Sequence, residues 1–263
     1  MTPTNDTSCP STTTCSLSKR RGFSLLELIV VISITSLLMG LLMPTLSSVR
    51  ENAHRVLCGS NQRQLGQSIT MYSGDHSNHL PVASVLDQPE PDPSLLALVR
   101  NGVQVNGRLF APLTNHTIPE PLEGSHWDGL GHLFKWHYCA EPKTFYCPSH
   151  EGEHTIEECR AEWEANIISE PLFSNYHYVG HKDWRTGNRH SLLKGHKLVL
   201  LTDGLRTKAE YSHSVGYNEL RGDGSVAWID NVLIPTKLRS LPPMDFDGLR
   251  ELDDIIYDIF SRK

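Results

Sequence analysis

The feature that most constrains this chain is an apolar run from Phe23 to Met43, 21 residues interrupted by a single charge, Glu27. At about 1.5 Å per residue, such a run spans about 30 Å as a helix, the hydrocarbon thickness of a bilayer. Three cations, Lys19, Arg20 and Arg21, stand before it, and a Thr- and Ser-rich stretch precedes them. Cations on that side predict that residues 1–21 stay cytoplasmic and that the bulk of the chain is exported. Beyond the run the composition is that of a soluble domain, with 38% hydrophobic and 21% charged residues over the whole chain. A net charge of −6 and the lack of an aromatic-and-basic stripe point away from nucleic acid.

Two common export signals fit poorly. A secretory signal peptide has a shorter apolar region followed by small residues at a cleavage site, whereas this run ends in Met43-Pro44-Thr45-Leu46-Ser47-Ser48. A lipoprotein anchor needs a small residue before the acylated cysteine, and Cys58 follows Arg55-Val56-Leu57.

The segment Arg21-Gly22-Phe23-Ser24-Leu25-Leu26-Glu27-Leu28-Ile29-Val30 instead resembles the N-terminal signal of type IV prepilins and type II secretion pseudopilins. The resemblance implies cleavage between Gly22 and Phe23 by a prepilin peptidase and methylation of the new Phe23 terminus. It also places the family's acidic residue at Glu27 and its helix-kinking proline at Pro44. Glycine suits a cleavage point because its backbone enters a cleft closely, and proline lacks the N–H that an unbroken helix needs. A carboxylate within hydrocarbon costs roughly 2–3 kcal/mol if central, so Glu27 calls for a partner. In a filament that partner would be the Phe23 amine of a neighbouring subunit; alone, Glu27 would reach to the membrane interface.

After Pro44 the helical pattern continues to about Ser73. Val49, Ala53, Val56, Leu57, Leu65, Ile69 and Tyr72 form the expected apolar face, and Arg50, Glu51, Arg55, Gln62 and Arg63 the polar one, with Gly74 as the stop. The exported part is rich in breakers. Residues 87–94 read as a loop, 106–131 as loops and short strands, Leu95–Arg100 as a short helix, Ile156–Ile168 as a helical insertion and Lys197–Thr202 as a buried strand. A hairpin is expected from Ser214–Leu220 and Ser225–Asp230 around Arg221-Gly222-Asp223-Gly224.

His213 followed after nine residues by Asp223-Gly224 is similar to the His-x9-Asp-Gly motif of a planctomycete and verrucomicrobial prepilin-like family. Cys58 with Asn61 and Leu65-Gly66, Phe145-Tyr146-Cys147-Pro148-Ser149 and Asn175-Tyr176-His177-Tyr178 add to that likeness. The motif reads either as the frame of a hairpin or as a catalytic or metal-binding His–Asp pair.

Cys9 and Cys15 would leave with the leader, and Cys58, Cys139, Cys147 and Cys159 would remain. An even number of cysteines in an exported domain suits disulfides, with Cys139 and Cys147 the nearest pair. Cys147, His150, His154 and Cys159 form the competing zinc-ligand set, although their spacing matches no familiar paired-cysteine site. No nucleophile elbow, phosphate loop or His-Glu-x-x-His is present, so no enzyme activity and no cofactor are expected. At the C-terminus, Pro235–Pro243 reads as a linker. Leu249, Leu252, Ile255, Ile256, Ile259 and Phe260 read as an amphipathic helix with Asp245 or Asp247 at its start and Arg262 and Lys263 at its end.

The expected fold is therefore α+β, a long N-terminal helix packed on a small antiparallel sheet with irregular insertions. Its expected parts are a leader (1–22), the long helix (23–75, with 23–43 in the membrane and 45–74 amphipathic), an exported pilin-like domain (76–234) and a linker with a C-terminal helix (235–263). The resemblance implies a filament subunit of the bacterial inner membrane, cytoplasmic at its N-terminus before processing. Its partners would be the prepilin peptidase, like pilin or pseudopilin subunits and an inner-membrane assembly platform. The alternatives are a tethered binding or sensory module that never polymerises, and an exported metal-dependent enzyme.

Overall fold

The computed structural model describes residues 23–87, 96–100, 127–150, 152, 154–165, 168, 171–192, 198–204, 212–213, 216–230 and 254–261 of the 263. It divides into two compact units, Met1–Ser48 and Val49–Lys263. Helix α1 (Leu25–Asp75) contributes to both.

In the first unit, α1 presents a continuous apolar surface from Leu25 to Met43 and is long and apolar enough to cross a membrane. Its few hydroxyls are satisfied within the helix. Ser33 Oγ donates to Ile29 O at 2.7 Å, Thr35 Oγ1 to Val31 O at 3.0 Å and Ser36 Oγ to Ile32 O. That back-bonding removes most of the penalty of placing a hydroxyl in hydrocarbon.

In the second unit, the buried stripe of α1 is Cys58, Gln62, Leu65, Ile69 and Tyr72. This corrects the expected face. Val56 is 73% exposed and Leu57 54%, whereas Gln62 is wholly buried because its amide donates to Asp203 Oδ1 at 2.7 Å and to Asn218 O at 3.3 Å. The helix passes Gly74 and ends at Asp75; Ser77 and Asn78 then turn the chain in the left-handed conformation.

The sheet is a four-stranded antiparallel meander of β3 (Tyr176–Tyr178), β4 (Val199–Asp203), β5 (Gly216–Arg221) and β6 (Val226–Asp230), in that order. Alternation along the strands puts Tyr176, Tyr178, Leu201, Asp203, Asn218 and Leu220 on the face toward α1. Contact is close at Gly66, where a Cβ would stand 2.9 Å from a Leu220 methyl. The expected hairpin forms as β5 and β6. Arg221 N–H donates to Ser225 O and Gly224 N–H to Arg221 O, with Gly224 at φ 80°.

A second, two-stranded sheet pairs β1 (Leu98–Arg100) with β2 (Leu172–Phe173). Leu98–Arg100 is thus a strand and not the expected short helix, its three residues all buried. Between β1 and β2 along the chain lie α2 (Gly131–Lys135) and α3 (Ile156–Glu164). A capping box between Thr155 and Glu158 starts α3, which stops at Glu164, short of the expected Ile168. Its Trp163 packs among Trp127, Phe134, Phe145 and Tyr146. Residues 254–260 are helical, and Ile255, Ile256, Ile259 and Phe260 join the same core. Leu249, Leu252, Asp245, Asp247, Arg262, Lys263 and the Pro235–Pro243 segment lie outside the described residues. The architecture is a long N-terminal helix with small antiparallel sheets, as expected.

Candidate functional site

Among the described residues, two places carry chemistry. The first is the start of α1. Gly22 lies outside the described residues, and Phe23 is exposed. Glu27 accepts the Ser24 N–H at 2.8 Å, while Ser24 Oγ accepts the Leu26 N–H at 3.3 Å. Ser24 and Glu27 therefore cap the helix start together, Ser24 Oγ on the Leu26 N–H and Glu27 reaching back to the Ser24 N–H, with the carboxylate at the positive end of the helix dipole. Sequence reading gave Glu27 a partner in another subunit and missed this nearer one, although the Ser-x-x-Glu spacing announces it. Pro44 falls within the continuous span of α1.

The second is a buried cluster where four elements meet. Cys58 comes from α1, Cys147 from the segment after the short 3-10 helix Pro142–Phe145, Asp203 from the end of β4 and His213 from the chain leading into β5. All four are buried, and one thiol, carboxylate or imidazole atom from each lies within 4.8 Å of the others. Cys58 Sγ is 2.7 Å from Asp203 Oδ1 and 3.4 Å from the Tyr176 hydroxyl. Cys147 Sγ is 3.5 Å from His213 Nε2, which is 3.4 Å from Asp203 Oδ2. The Tyr146 carbonyl holds the Cys147 segment against the helix by accepting from Asn61 Nδ2 at 3.1 Å and from the Tyr176 hydroxyl at 3.3 Å.

A further shell fixes these groups. Asp203 accepts from Gln62 Nε2 (2.7 Å), the Asn218 backbone N–H (2.6 Å) and Asn218 Nδ2 (3.1 Å). His213 Nδ1 donates to Glu51 Oε1 at 2.7 Å, which turns Nε2 toward Cys147 and Asp203. Glu51 also accepts from Ser149 Oγ at 3.0 Å and pairs with Arg55 at 3.5 Å. The Arg55 guanidinium lies 4.1 Å over the Trp228 ring, whose edge meets the His213 imidazole.

The electrostatics follow from burial and crowding. Burial raises the Asp203 carboxyl, against the pull of His213 and of its amide donors. Burial would lower His213, but Cys147, Asp203 and Glu51 outweigh it and raise the imidazole to about 9. Burial alone would raise Cys147; hydrogen bonds with Cys58 and His213 instead bring it down to about 7. Cys58, buried beside Cys147 and the Asp203 carboxylate, is pushed well up. The chemistry is that of a ligand set, with two sulfurs, an imidazole nitrogen and a carboxylate facing one point.

The structure redistributes the residues singled out from sequence. His213 belongs to the cluster, but Asp223 and Gly224 do not: Asp223 is exposed in the β5–β6 turn, where Oδ1 accepts the Ser225 N–H at 2.8 Å. Cys139 is not bridged to Cys147, and all four described cysteines are free thiols. Cys147 turns toward Cys58 because its segment is hydrogen-bonded back onto α1. Of the competing zinc-ligand set, Cys147 alone enters the cluster. The His154 ring packs on Phe173, and Cys159 is buried on α3 beside Tyr146. Cys58, Asp203 and Glu51 as site residues, with Gln62 and Asn218 behind them, escaped sequence reading. Cys58 was legible only as one of the cysteines and through the family resemblance, and the strand ending at Asp203 only as a buried apolar run.

Comparison with curated proteins and comparison with solved structures each return no match. Residues 17–43 match the family model of the prokaryotic N-terminal methylation motif, which makes the N-terminal segment of this chain that of a prepilin-type processed protein.

Proposed function

We propose that this chain is a structural subunit of a pilus-like or type II secretion pseudopilus filament and not an enzyme. The observation that carries the reading is the methylation motif over residues 17–43, with Gly22, Phe23 and Glu27 in order inside it. A prepilin peptidase would cut after Gly22 and leave a methylated Phe23. The apolar surface of Leu25–Met43 first anchors the chain in the inner membrane and then packs against the same surface of like subunits. An inner-membrane platform would drive that transfer, with the globular domain on the far side of the membrane. Beyond the membrane-length segment, Leu46, Val49, Val56 and Leu57 are also exposed, which suits a helix that continues to pack laterally after the span.

The test is the N-terminal mass of the protein from its native membrane, with electron microscopy of sheared cell-surface material. Methylated Phe23 together with fibres containing this chain is the expected result. Methylated Phe23 without fibres would replace the filament reading with a tethered module, and an intact Met1 would remove the processing step itself.

A further inference from the structure

We propose that Cys58, Cys147, Asp203 and His213 form a structural zinc site that staples α1 to the sheet of the globular domain. Tetrahedral zinc, with bonds of about 2.3 Å to sulfur and 2.0–2.1 Å to nitrogen and oxygen, sets S···N at about 3.5 Å and N···O at about 3.4 Å. The chain holds Cys147 Sγ and His213 Nε2 at 3.5 Å and His213 Nε2 and Asp203 Oδ2 at 3.4 Å. The fourth donor, Cys58 Sγ, is 2.7 Å from the other carboxylate oxygen, Oδ1, and one ligand atom from each of the four residues lies within 4.8 Å of the others.

The surroundings argue for a cation over a disulfide. Asp203 is 1% exposed; its hydrogen-bond donors are neutral (two amides, a backbone N–H and a thiol), and its charged neighbour is the His213 imidazole at 3.4 Å. A neighbouring imidazole compensates a buried carboxylate only in its protonated form, whereas a divalent cation compensates it outright. A Cys58–Cys147 bridge would consume both sulfurs and leave Asp203 and His213 buried with each other. A divalent cation instead takes two thiolates, the carboxylate and the Nε2 lone pair, releasing the thiol protons and any proton on Nε2. The carboxylate–imidazole relay from Glu51 through His213 is the second shell that metal-bound histidines usually have. Two sulfurs and a nitrogen select zinc over calcium or magnesium.

Four protein donors fill a tetrahedral shell and leave no position for a substrate, so the site is structural rather than catalytic. Cys147 lines a cleft of about 500 Å³, which gives the ion its way in. The donors are separated by 89, 56 and 10 positions along the chain, from 58 to 147, 203 and 213. One ion thus ties together the helix, the segment after the 3-10 turn, the end of β4 and the chain leading into β5.

The full chain, extracted from membranes in detergent, is assayed for zinc by elemental analysis. It is then stripped with chelator and reloaded with cobalt(II). About one zinc per chain is expected, with a tetrahedral cobalt spectrum carrying thiolate-to-metal charge-transfer bands. Those bands should weaken in Cys58→Ser and in Cys147→Ser, and the zinc content should stay unchanged in Cys159→Ser and His150→Ala. Failure of the folded wild-type chain to retain zinc or bind cobalt, or a Cys58–Cys147 disulfide in the isolated protein, overturns the proposal. Because the first readings are on the wild-type chain, misfolding of a variant cannot decide the outcome.

Discussion

The imidazole Nδ1 of His213 lies 2.7 Å from Glu51 Oε1, joining residues 162 positions apart. The contact sets the ring so that Nε2 faces Cys147 and Asp203, and it places a carboxylate behind the proposed metal ligand. Second-shell partners of this kind typically contribute 10–100-fold to metal affinity. Glu51→Gln should therefore weaken zinc binding by about that factor in a competition titration against a chelator, while saturating zinc still loads one ion per chain. Arg55→Gln should have a smaller effect, since Arg55 reaches Glu51 only at 3.5 Å and from a partly exposed position. Unchanged affinity in Glu51→Gln would reduce the Glu51–His213 contact to a domain-packing interaction.

Helix α1 and the sheet meet too closely at Gly66 for a side chain. A Cβ there would lie 2.9–3.0 Å from both methyls of Leu220, itself fully buried. Gly66→Ala should lower stability by about 1–3 kcal/mol through overpacking. Gly74→Ala is the matched control, on the same helix with nothing within 4 Å of its Cβ position. It should be neutral or stabilising by up to about 1 kcal/mol, because alanine is the better helix former. Thermal unfolding of the two variants in detergent, followed by near-UV circular dichroism, checks both expectations.

Much of this fold is legible locally. The membrane-length run, the helix beyond it, the buried strand at Lys197–Thr202 and the Asp-Gly hairpin each depend on residues close together in sequence, and each forms nearly as read. The errors occur where a distant partner decides. Gln62 looks like a surface residue until Asp203, 141 positions away, supplies a carboxylate for its amide. Leu98–Arg100 is strand because Leu172–Phe173 pairs with it. The cluster could not be read from spacing, because its four donors come from four elements and only folding brings them together. Cys139 and Cys147 illustrate the converse, since proximity in sequence suggested a bond that the backbone's return to α1 directs elsewhere.

The two halves of the His-x9-Asp-Gly motif should separate experimentally. Asp223 and Gly224 serve the β5–β6 turn, through the Ser225 N–H bond and a left-handed backbone at φ 80°. Gly224→Ala should cost about 1–2 kcal/mol, and Asp223→Ala about 0.5–1.5 kcal/mol for its hydrogen bond. Both should keep their zinc. His213→Ala should lose it. Equal metal loss in all three variants, measured on folded protein, would mean that the turn helps to build the site.

His132 gives the globular domain a pH dependence of predictable sign. Burial, with Lys135 and His76 nearby, holds its imidazole down at about 4, against an ordinary value of 6.5. Between those values the unfolded chain carries a proton that the folded chain does not. Stability should therefore fall as pH drops from 6.5 toward 4, by an amount on the order of 3 kcal/mol, with no further loss from this group below 4. His181 and His190 are also lowered by burial and add slope in the same direction. The measurement is thus the difference between wild type and His132→Gln in urea midpoint at pH 7 and pH 5. A slope identical in the two proteins would assign the effect to the other histidines.

Ser24 and Glu27 allow the two readings of the intramembrane carboxylate to be told apart. Within one chain Glu27 closes the start of α1 by accepting the Ser24 N–H, while Ser24 Oγ accepts from Leu26. If capping is its whole role, Ser24→Ala and Glu27→Ala each remove half of a reciprocal pair. Both should then impair the helix start by about 1 kcal/mol and affect assembly to a similar, small extent. If Glu27 also binds the methylated amine of a neighbouring Phe23, as the filament reading requires, its removal leaves a cation without a partner in an apolar bundle, and the loss is much larger. Fibre yield from cells expressing each variant should therefore be near normal for Ser24→Ala and lost for Glu27→Ala, with Phe23 processing intact in both. Equal yields in the two would confine Glu27 to its own helix and leave the register between subunits to apolar packing alone.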